Sequence, residues 1–390
     1  MFKNFRFRLK YVNFRLILWV FAITAIGIAV IGSAAPGAGY QNRQIMGLAI
    51  GAVLMVLLML IDYNWILKFH WLIYLACIVL LFLVLKMGEH HKGATRWIEI
   101  ANVTFQPSEF AKIMLILFWS WLLGKNPNMV KKWKYFFISV LLTAVPLLLI
   151  AEEPDLSTTI LVAVLFVIQL FIAGFSYKKF AIILGALIPV AAAVIIYINV
   201  VPPSSGKNLL LHPYQYKRIM DFFNPEENDD GRLQQENAVM AIGSGGLTGK
   251  GLYNESANSV KNGNYIPEPQ TDFIFAIIGE ELGFVGCAAV LLLLLLIAAE
   301  CVVTGARAPD MQGRLICFGV ASIVIFQTFI NIGVVTAILP NTGIPLPFVS
   351  YGLSSLVAMY AGIGLVLNVR FRKKALLEEE KKDEHRLNSA

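Results

Sequence analysis

The segment Gln106-Pro107-Ser108-Glu109-Phe110-Ala111-Lys112 places a carboxylate and an ammonium three residues apart, just before a stretch that is apolar from Ile113 to Leu123. In a helix that spacing puts Glu109 and Lys112 on one face, where each offsets the other's charge. A lone charge at the centre of a membrane helix costs roughly 2.5–3.5 kcal/mol on insertion scales, so the pair is either a structural ion bridge or part of a site that handles charge. A second candidate is Asp272 in Thr271-Asp272-Phe273-Ile274-Phe275, at the expected start of another apolar helix. A carboxylate there serves either as an N-cap favoured by the helix dipole or as a proton acceptor at the rim of a partly dry cavity. Glu280 and Glu281 follow about two turns on. Helical periodicity turns Glu280 about 80° from Asp272 and puts Glu281 on the opposite face, so Glu280 is expected to support the site by structural pairing. Between Pro340 and Gly352, three prolines and two glycines exclude a regular helix before about Pro347. Irregular backbone at membrane depth is tolerated mainly where it is buried in protein or lines a cavity. Arg96, Glu109, Lys112, Arg218, Asp272 and Ser350 are therefore expected to converge on one outward-facing polar cavity.

The elements that must position these groups are membrane helices. Of 390 residues 57% are hydrophobic and 15% charged, with a mean hydropathy of +0.69, which excludes an ordinary soluble domain. Apolar runs at about 16–35, 44–61, 69–85, 110–123, 135–151, 156–174, 180–201, 273–299, 315–339 and 348–369 predict an all-α polytopic membrane protein of about ten transmembrane helices. No cleaved leader is expected, since no small-residue cleavage site follows a short apolar core. With the N-terminus inside, the inner segments carry 21 Lys and Arg and the short outer loops 4, which predicts both termini in the cytoplasm. The net charge of +7 then reflects topology and anionic headgroups and requires no nucleic acid. Cys77, Cys287, Cys301 and Cys317 lack metal-ligand spacing and read as buried thiols; the adjacent His90 and His91 read as solvated loop residues.

One membrane domain is expected over 1–375, with a large outer loop at about 202–271, followed by a charged cytoplasmic tail at 376–390. The loop is too long for a mere connection. Its Gly243–Gly251 stretch fails the Walker pattern and reads as tight turns that could offer amides to a phosphate.

Several motifs together resemble the SEDS family (shape, elongation, division and sporulation), most closely its RodA branch. They are Thr95-Arg96-Trp97-Ile98, Gln106 to Lys112, Glu153-Pro154-Asp155-Leu156, Pro213-Tyr214-Gln215-Tyr216-Lys217-Arg218, Ala241 to Lys250, Thr271 to Gly283 and Asn341 to Ser355, in family order. Leu353, Ser157, Gln235-Glu236 and Tyr253–Asn264 depart from the family pattern.

The resemblance implies a peptidoglycan glycosyltransferase that polymerises lipid II outside the cytoplasmic membrane, in the branch serving cell elongation and rod shape. Asp272 would be the catalytic base. The substrate would be bound by Arg96, Gln106, Ser108, Glu109, Lys112, Tyr214, Gln215, Arg218, Ser350 and Tyr351. Arg96, Lys112 and Arg218 would clamp the diphosphate, and a divalent cation (Mg or Mn) would share that work. A class B penicillin-binding protein, a single-span transpeptidase, is the implied partner. Small residues at Gly279, Gly283, Gly286, Ala288 and Ala289, and at Gly319, Ala321 and Ser322, offer it surfaces for close helix approach. The residues alone leave a lipid II flippase and a non-catalytic cell-wall scaffold open.

Overall fold

The structure, a computed structural model, describes residues 12–91, 94–100, 103–125, 130–182, 185, 230–254, 259–263 and 265–387. Its helices follow the apolar runs. They are α1 Phe14–Ala34, α2 Tyr40–Leu60, a short α3 Tyr63–Lys68, α4 His70–Met87, α5 Pro107–Gly124, α6 Trp133–Glu152, α7 Leu156–Ile172, α8 Asp230–Ser244, α9 Ile274–Ala306, α10 Met311–Val335 and α11 Leu353–Leu387. Among the described residues, α1, α2, α4, α6, α9, α10 and the first 20 residues of α11 are each long and apolar enough to cross a membrane. α5 and the 17-residue α7 occupy two further expected spans, while the one expected at 180–201 lies almost wholly outside the described residues. Local chemistry sets several boundaries. Pro107 opens α5, where its missing N–H costs nothing. Asp62, Asp155 and Asp310 cap α3, α7 and α10 by accepting from the amides of Asn64, Thr158 and Gly313.

α5, α10 and α11 form the centre. Trp119 and Phe118 of α5, Val320 and Ile323 of α10, and Tyr360 and Ile363 of α11 are buried, whereas α4 and α6 turn Leu72, Phe82, Leu141 and Leu148 outward. That distribution suits helices whose outer surface meets lipid. Sequence reasoning missed the link between α4 and α5, which is a small antiparallel sheet: β1 Glu89–His91, β2 Ala94–Ile100 and β3 Val103–Phe105, in the order β1-β2-β3. His90 and His91 therefore lie on a strand. α11 continues unbroken from its membrane portion to Leu387.

The 33 residues of α9 are interrupted at Gly283, whose φ is +65°. The Gly-rich stretch after α8 docks in that interruption. The amides of Lys250 and Gly251 donate to the Glu280 and Glu281 carbonyls (both 2.9 Å), and those of Phe284 and Val285 donate to the Gly246 and Leu247 carbonyls at 2.9 and 3.1 Å. Amides expected to be free for a phosphate are thus spent on a broken helix. Glu280 and Glu281 lie just before the break. Both carboxylates are buried, Glu280 against Lys250 (2.7 Å) and Glu281 against Lys261 (2.6 Å) and the Ser33 hydroxyl (2.5 Å). Most of the small-residue surface is likewise internal. A Cβ on Gly279 would meet Ile242, one on Gly319 would meet Gln169 and Ile116, and Ala321 and Ser322 are buried; only Ala288 and Ala289 are exposed.

A Cβ at position 283 would lie 2.3 Å from the Gly249 amide nitrogen and 2.7 Å from the Leu247 carbonyl, in a backbone conformation that L side chains resist. Gly283→Ala is expected to destabilise the protein by about 2 kcal/mol or more. It should also speed proteolysis between α8 and α9, as read by thermal unfolding and limited digestion. Wild-type behaviour in both would show that this docking does not hold the segment.

Candidate functional site

A group of polar contacts converges on the irregular segment between α10 and α11. With no helix to satisfy its backbone, the segment draws partners from six directions. The Ser157 hydroxyl donates to the Thr342 carbonyl (3.0 Å) and the Asn331 carboxamide to the Ile344 carbonyl (2.8 Å). Gln235 donates to the Leu339 carbonyl (2.8 Å), and the Asn341 side chain donates to Gln234 (3.2 Å). Gln44, fully buried in α2, clamps the turn from both sides: its Nε2 donates to the Ser350 carbonyl at 3.0 Å and its Oε1 accepts from the Gly352 amide at 3.2 Å. The Tyr351 amide donates to the Gln270 carbonyl at 2.8 Å, and its ring packs on Tyr40. The Gln106 amide donates to the Ser354 hydroxyl, 3.0 Å away. Ser350 accepts from the Leu346 amide at 2.8 Å and so closes the turn it sits in.

Asp272 lies two residues beyond Gln270, half-buried, with α9 beginning at Ile274 and Phe273 as the cap residue. It thus precedes the cap position, and its carboxylate accepts from the Thr271 hydroxyl at 2.9 Å. Its carbonyl accepts from Asn331 at 2.7 Å. Asp272 is tied by backbone to the same segment that carries Ser350 and Tyr351.

The Glu109–Lys112 pair is formed and buried, Nζ to Oε1 at 2.8 Å with side chains 3% and 2% exposed. Glu109 Oε2 has no hydrogen-bond partner among the described residues. Ser108, also buried, accepts from Gln106 Nε2 at 3.2 Å. Arg96 on β2 reaches the turn between α6 and α7. It donates to the Pro154 carbonyl and, at 3.4 Å, to that of Glu153, and it stands 3.8 Å from the Asp155 carboxylate. Glu153 is fully buried with neither carboxyl oxygen hydrogen-bonded. Burial, reinforced by Asp155 and opposed by Arg96, lifts its carboxyl from 4.5 to about 9.

The structure therefore brings Asp272, Ser350 and Tyr351 together through backbone contacts. It joins Gln106, Ser108, Glu109 and Lys112 to the same segment through Ser354, and it engages Arg96 with the adjacent turn. Tyr214, Gln215 and Arg218 lie outside the described residues. Sequence reasoning missed Gln44, Asn331 and Glu153 as individual contributors. A carboxamide inside an apolar run was the available signal for the first two.

The chain matches the FtsW/RodA/SpoVE family of cell cycle proteins over residues 9–375. It is 35% identical over 366 residues to the peptidoglycan glycosyltransferase MrdB of Escherichia coli, covering 93% of this chain and 94% of that protein. It is 34% identical over 335 residues to the stage V sporulation protein E of Bacillus subtilis, covering 85% and 86%. Among solved structures it resembles one described as structural coordination of polymerization and crosslinking by a peptidoglycan synthase complex, with a TM-score of 0.76 at 29% identity and coverage of 93% and 98%. It also resembles the rod shape determining protein RodA of Thermus thermophilus, with a TM-score of 0.66 at 29% identity and coverage of 92% and 96%.

The state of Glu153 has a measurable consequence. The folded protein holds this proton to a higher pH than the unfolded chain does. The stability gained from the neutral carboxyl is therefore complete below the ordinary value of 4.5 and is lost as pH rises through about 9. The thermal midpoint in detergent should fall as pH rises from about 4.5 to about 9 and level off above it, and Glu153→Gln should flatten that fall. Equal slopes for the two proteins would exclude Glu153 as the group responsible.

Proposed function

The chain belongs to the FtsW/RodA/SpoVE family, and from that premise we propose that it polymerises lipid II, a disaccharide-pentapeptide on undecaprenyl diphosphate, with Asp272 as the base. It is an integral membrane peptidoglycan glycosyltransferase, a transferase of cell-wall synthesis in the RodA mould. The site end of the bundle faces outside, with both termini in the cytoplasm, as the Lys and Arg distribution requires. Energy arrives within the substrate, as a glycosyl diphosphate bond. The acceptor's 4-hydroxyl attacks the donor's anomeric carbon and inverts it. A hydroxyl is a weak nucleophile at neutral pH, so its proton must pass to a positioned carboxylate as the bond forms. The observation that carries this role is the placement of Asp272: half-buried, ahead of the α9 cap, and tied to the Ser350–Tyr351 turn through Gln270 and Asn331.

The diphosphate leaves without a proton but needs cationic stabilisation. Lys112 supplies it with Glu109 as its orienting partner, assisted by Arg218 and by Arg96 from the neighbouring turn. Gln106, Ser108, Tyr214, Gln215, Ser350 and Tyr351 complete the binding of the sugar and phosphate groups. A divalent cation, Mg or Mn, would add to that charge. Among the described residues no cluster of three or more His, Cys, Asp or Glu side chains could hold one, so the steps are assigned to the chain's own groups. A transport path for lipid II would need available polar groups at the far end as well, but there Asp62 is paired with Arg372 and Glu300 with Arg370. The partner is a class B penicillin-binding protein that crosslinks the strands as they form. A complex joining polymerization and crosslinking is described for a structural relative.

Asp272→Asn keeps the shape and removes proton acceptance. Purified protein supplied with labelled lipid II should lose about 10²–10⁴ in polymerisation rate while folding and inserting normally. Strand synthesis at the wild-type rate would leave Asp272 without a catalytic role. Exchanging Glu109 and Lys112 preserves the ion pair but turns a carboxylate toward the diphosphate. The exchanged protein should be stable and inactive, and an active one would reduce the pair to a structural bridge.

A further inference from the structure

Asn331 sits one turn before the end of α10, 1% exposed, and its carboxamide nitrogen donates to two carbonyls at once: Asp272 at 2.7 Å and Ile344 at 2.8 Å. The orientation is not arbitrary. Flipping the amide would set its oxygen against two carbonyl oxygens, with repulsion in place of two hydrogen bonds. Its Oδ1 is consequently buried, with no hydrogen-bond partner among the described residues. That is an expensive arrangement to keep unless the two donated bonds matter.

The two carbonyls belong to segments that no helix organises. Asp272 lies in the turn ahead of α9, and Ile344 in the irregular stretch that leads to Ser350 and Tyr351. Two residues before Asp272, the Gln270 carbonyl is held by the Tyr351 amide at 2.8 Å. The turn bearing Asp272 is therefore gripped twice, by Tyr351 from the segment itself and by Asn331, which grips that segment as well. Removing the carboxamide would take this donor from one buried and one part-buried carbonyl and free the Asp272 turn to slide against the Ser350–Tyr351 turn. We propose that Asn331 is a positioning residue for the transfer step: it fixes the Asp272 turn against the segment that carries Ser350 and Tyr351, and so sets where the base stands. The inference rests on Asp272 acting as the base.

The test is initial-rate kinetics of the purified full-length protein over a range of labelled lipid II concentrations, with thermal midpoints recorded alongside. Asn331→Leu keeps the approximate shape and removes both donors. It should lower kcat about ten- to a hundredfold, the scale expected of a misplacement of roughly 1 Å, with KM within about twofold and the thermal midpoint little changed. Asn331→Ser retains one O–H donor on a shorter chain and should fall between. Gln327→Leu, which removes a buried carboxamide one turn earlier on the same helix, should leave kcat within about twofold. An Asn331→Leu protein with unchanged kcat would overturn the proposal, as would equal losses in the Gln327→Leu protein. Failure of both Asn331 variants to fold would overturn it too, because the two bonds would then be holding the fold rather than the base. Asp272→Asn separates the two levels. If that variant retains the rate, the base assignment fails. If it is inactive while Asn331→Leu is normal, only the positioning role fails.

Discussion

Backbone that leaves the helix inside a membrane protein must find its hydrogen bonds from other elements, because lipid offers none. Residues 340–352 are under that constraint, and the way they meet it organises one end of the molecule. Prolines at 340, 345 and 347 remove amides and forbid a helix, so the remaining carbonyls and amides turn to side chains on α2, α7, α8 and α10 and to the backbone at Gln270. Most of these partners are polar side chains on apolar helices, and each makes at least one hydrogen bond to the segment. The segment is thus the hub against which the surrounding helix ends are aligned, and Asp272 is one of the groups aligned by it.

α9 solves the same problem differently. Its interruption at Gly283 exposes main-chain groups that the Gly246–Gly251 stretch satisfies, and Glu280 and Glu281 just before the break receive Lys250 and Lys261 from the same region. Glu280 Oε1 also accepts from the Val260 amide at 2.8 Å. The effect is to fasten the segment between α8 and α9 to the membrane bundle by its backbone, with the charged pairs locking register. Asp272 therefore stands between two anchored regions, the docked segment on its N-terminal side and the break in α9 on its C-terminal side.

Much of this was legible in the sequence. Apolar run length gave the helices, the proline pattern gave the irregular segment, and spacing gave the Glu109–Lys112 pair, because each is a local property. What stayed hidden depends on partners far apart in the chain. Periodicity related Glu280 and Glu281 to Asp272 but said nothing of Lys250 and Lys261, which reach them from the segment before α9. The Gly-rich amides looked available until α9 was seen to take them. The glycine and alanine surface looked ready for a partner helix, yet Gly279 and Gly319 are small because Ile242 and Gln169 approach them. Gln44 and Asn331 carry no local signature beyond being amides among apolar residues. Their importance lies in which carbonyls they reach.

The buried acidic groups separate by what they leave unmet. Glu280 receives Lys250 Nζ and the amides of Val260 and Lys261, so both of its oxygens are satisfied and its lysine is still partly exposed to water. That is the pattern of a structural bridge. Lys112 differs. An ammonium has three protons to donate, yet among the described residues Glu109 Oε1 is its one hydrogen-bond partner, and Glu109 Oε2 has none. Two charges so fully buried recover their desolvation cost only when the remaining donors and acceptors are engaged. Lys112 therefore keeps donors unused within the pair, and in the proposed reaction a diphosphate would take them up. This asymmetry, more than the presence of an ion pair, separates the α5 pair from the Glu280–Lys250 bridge and favours the proposed role of Lys112.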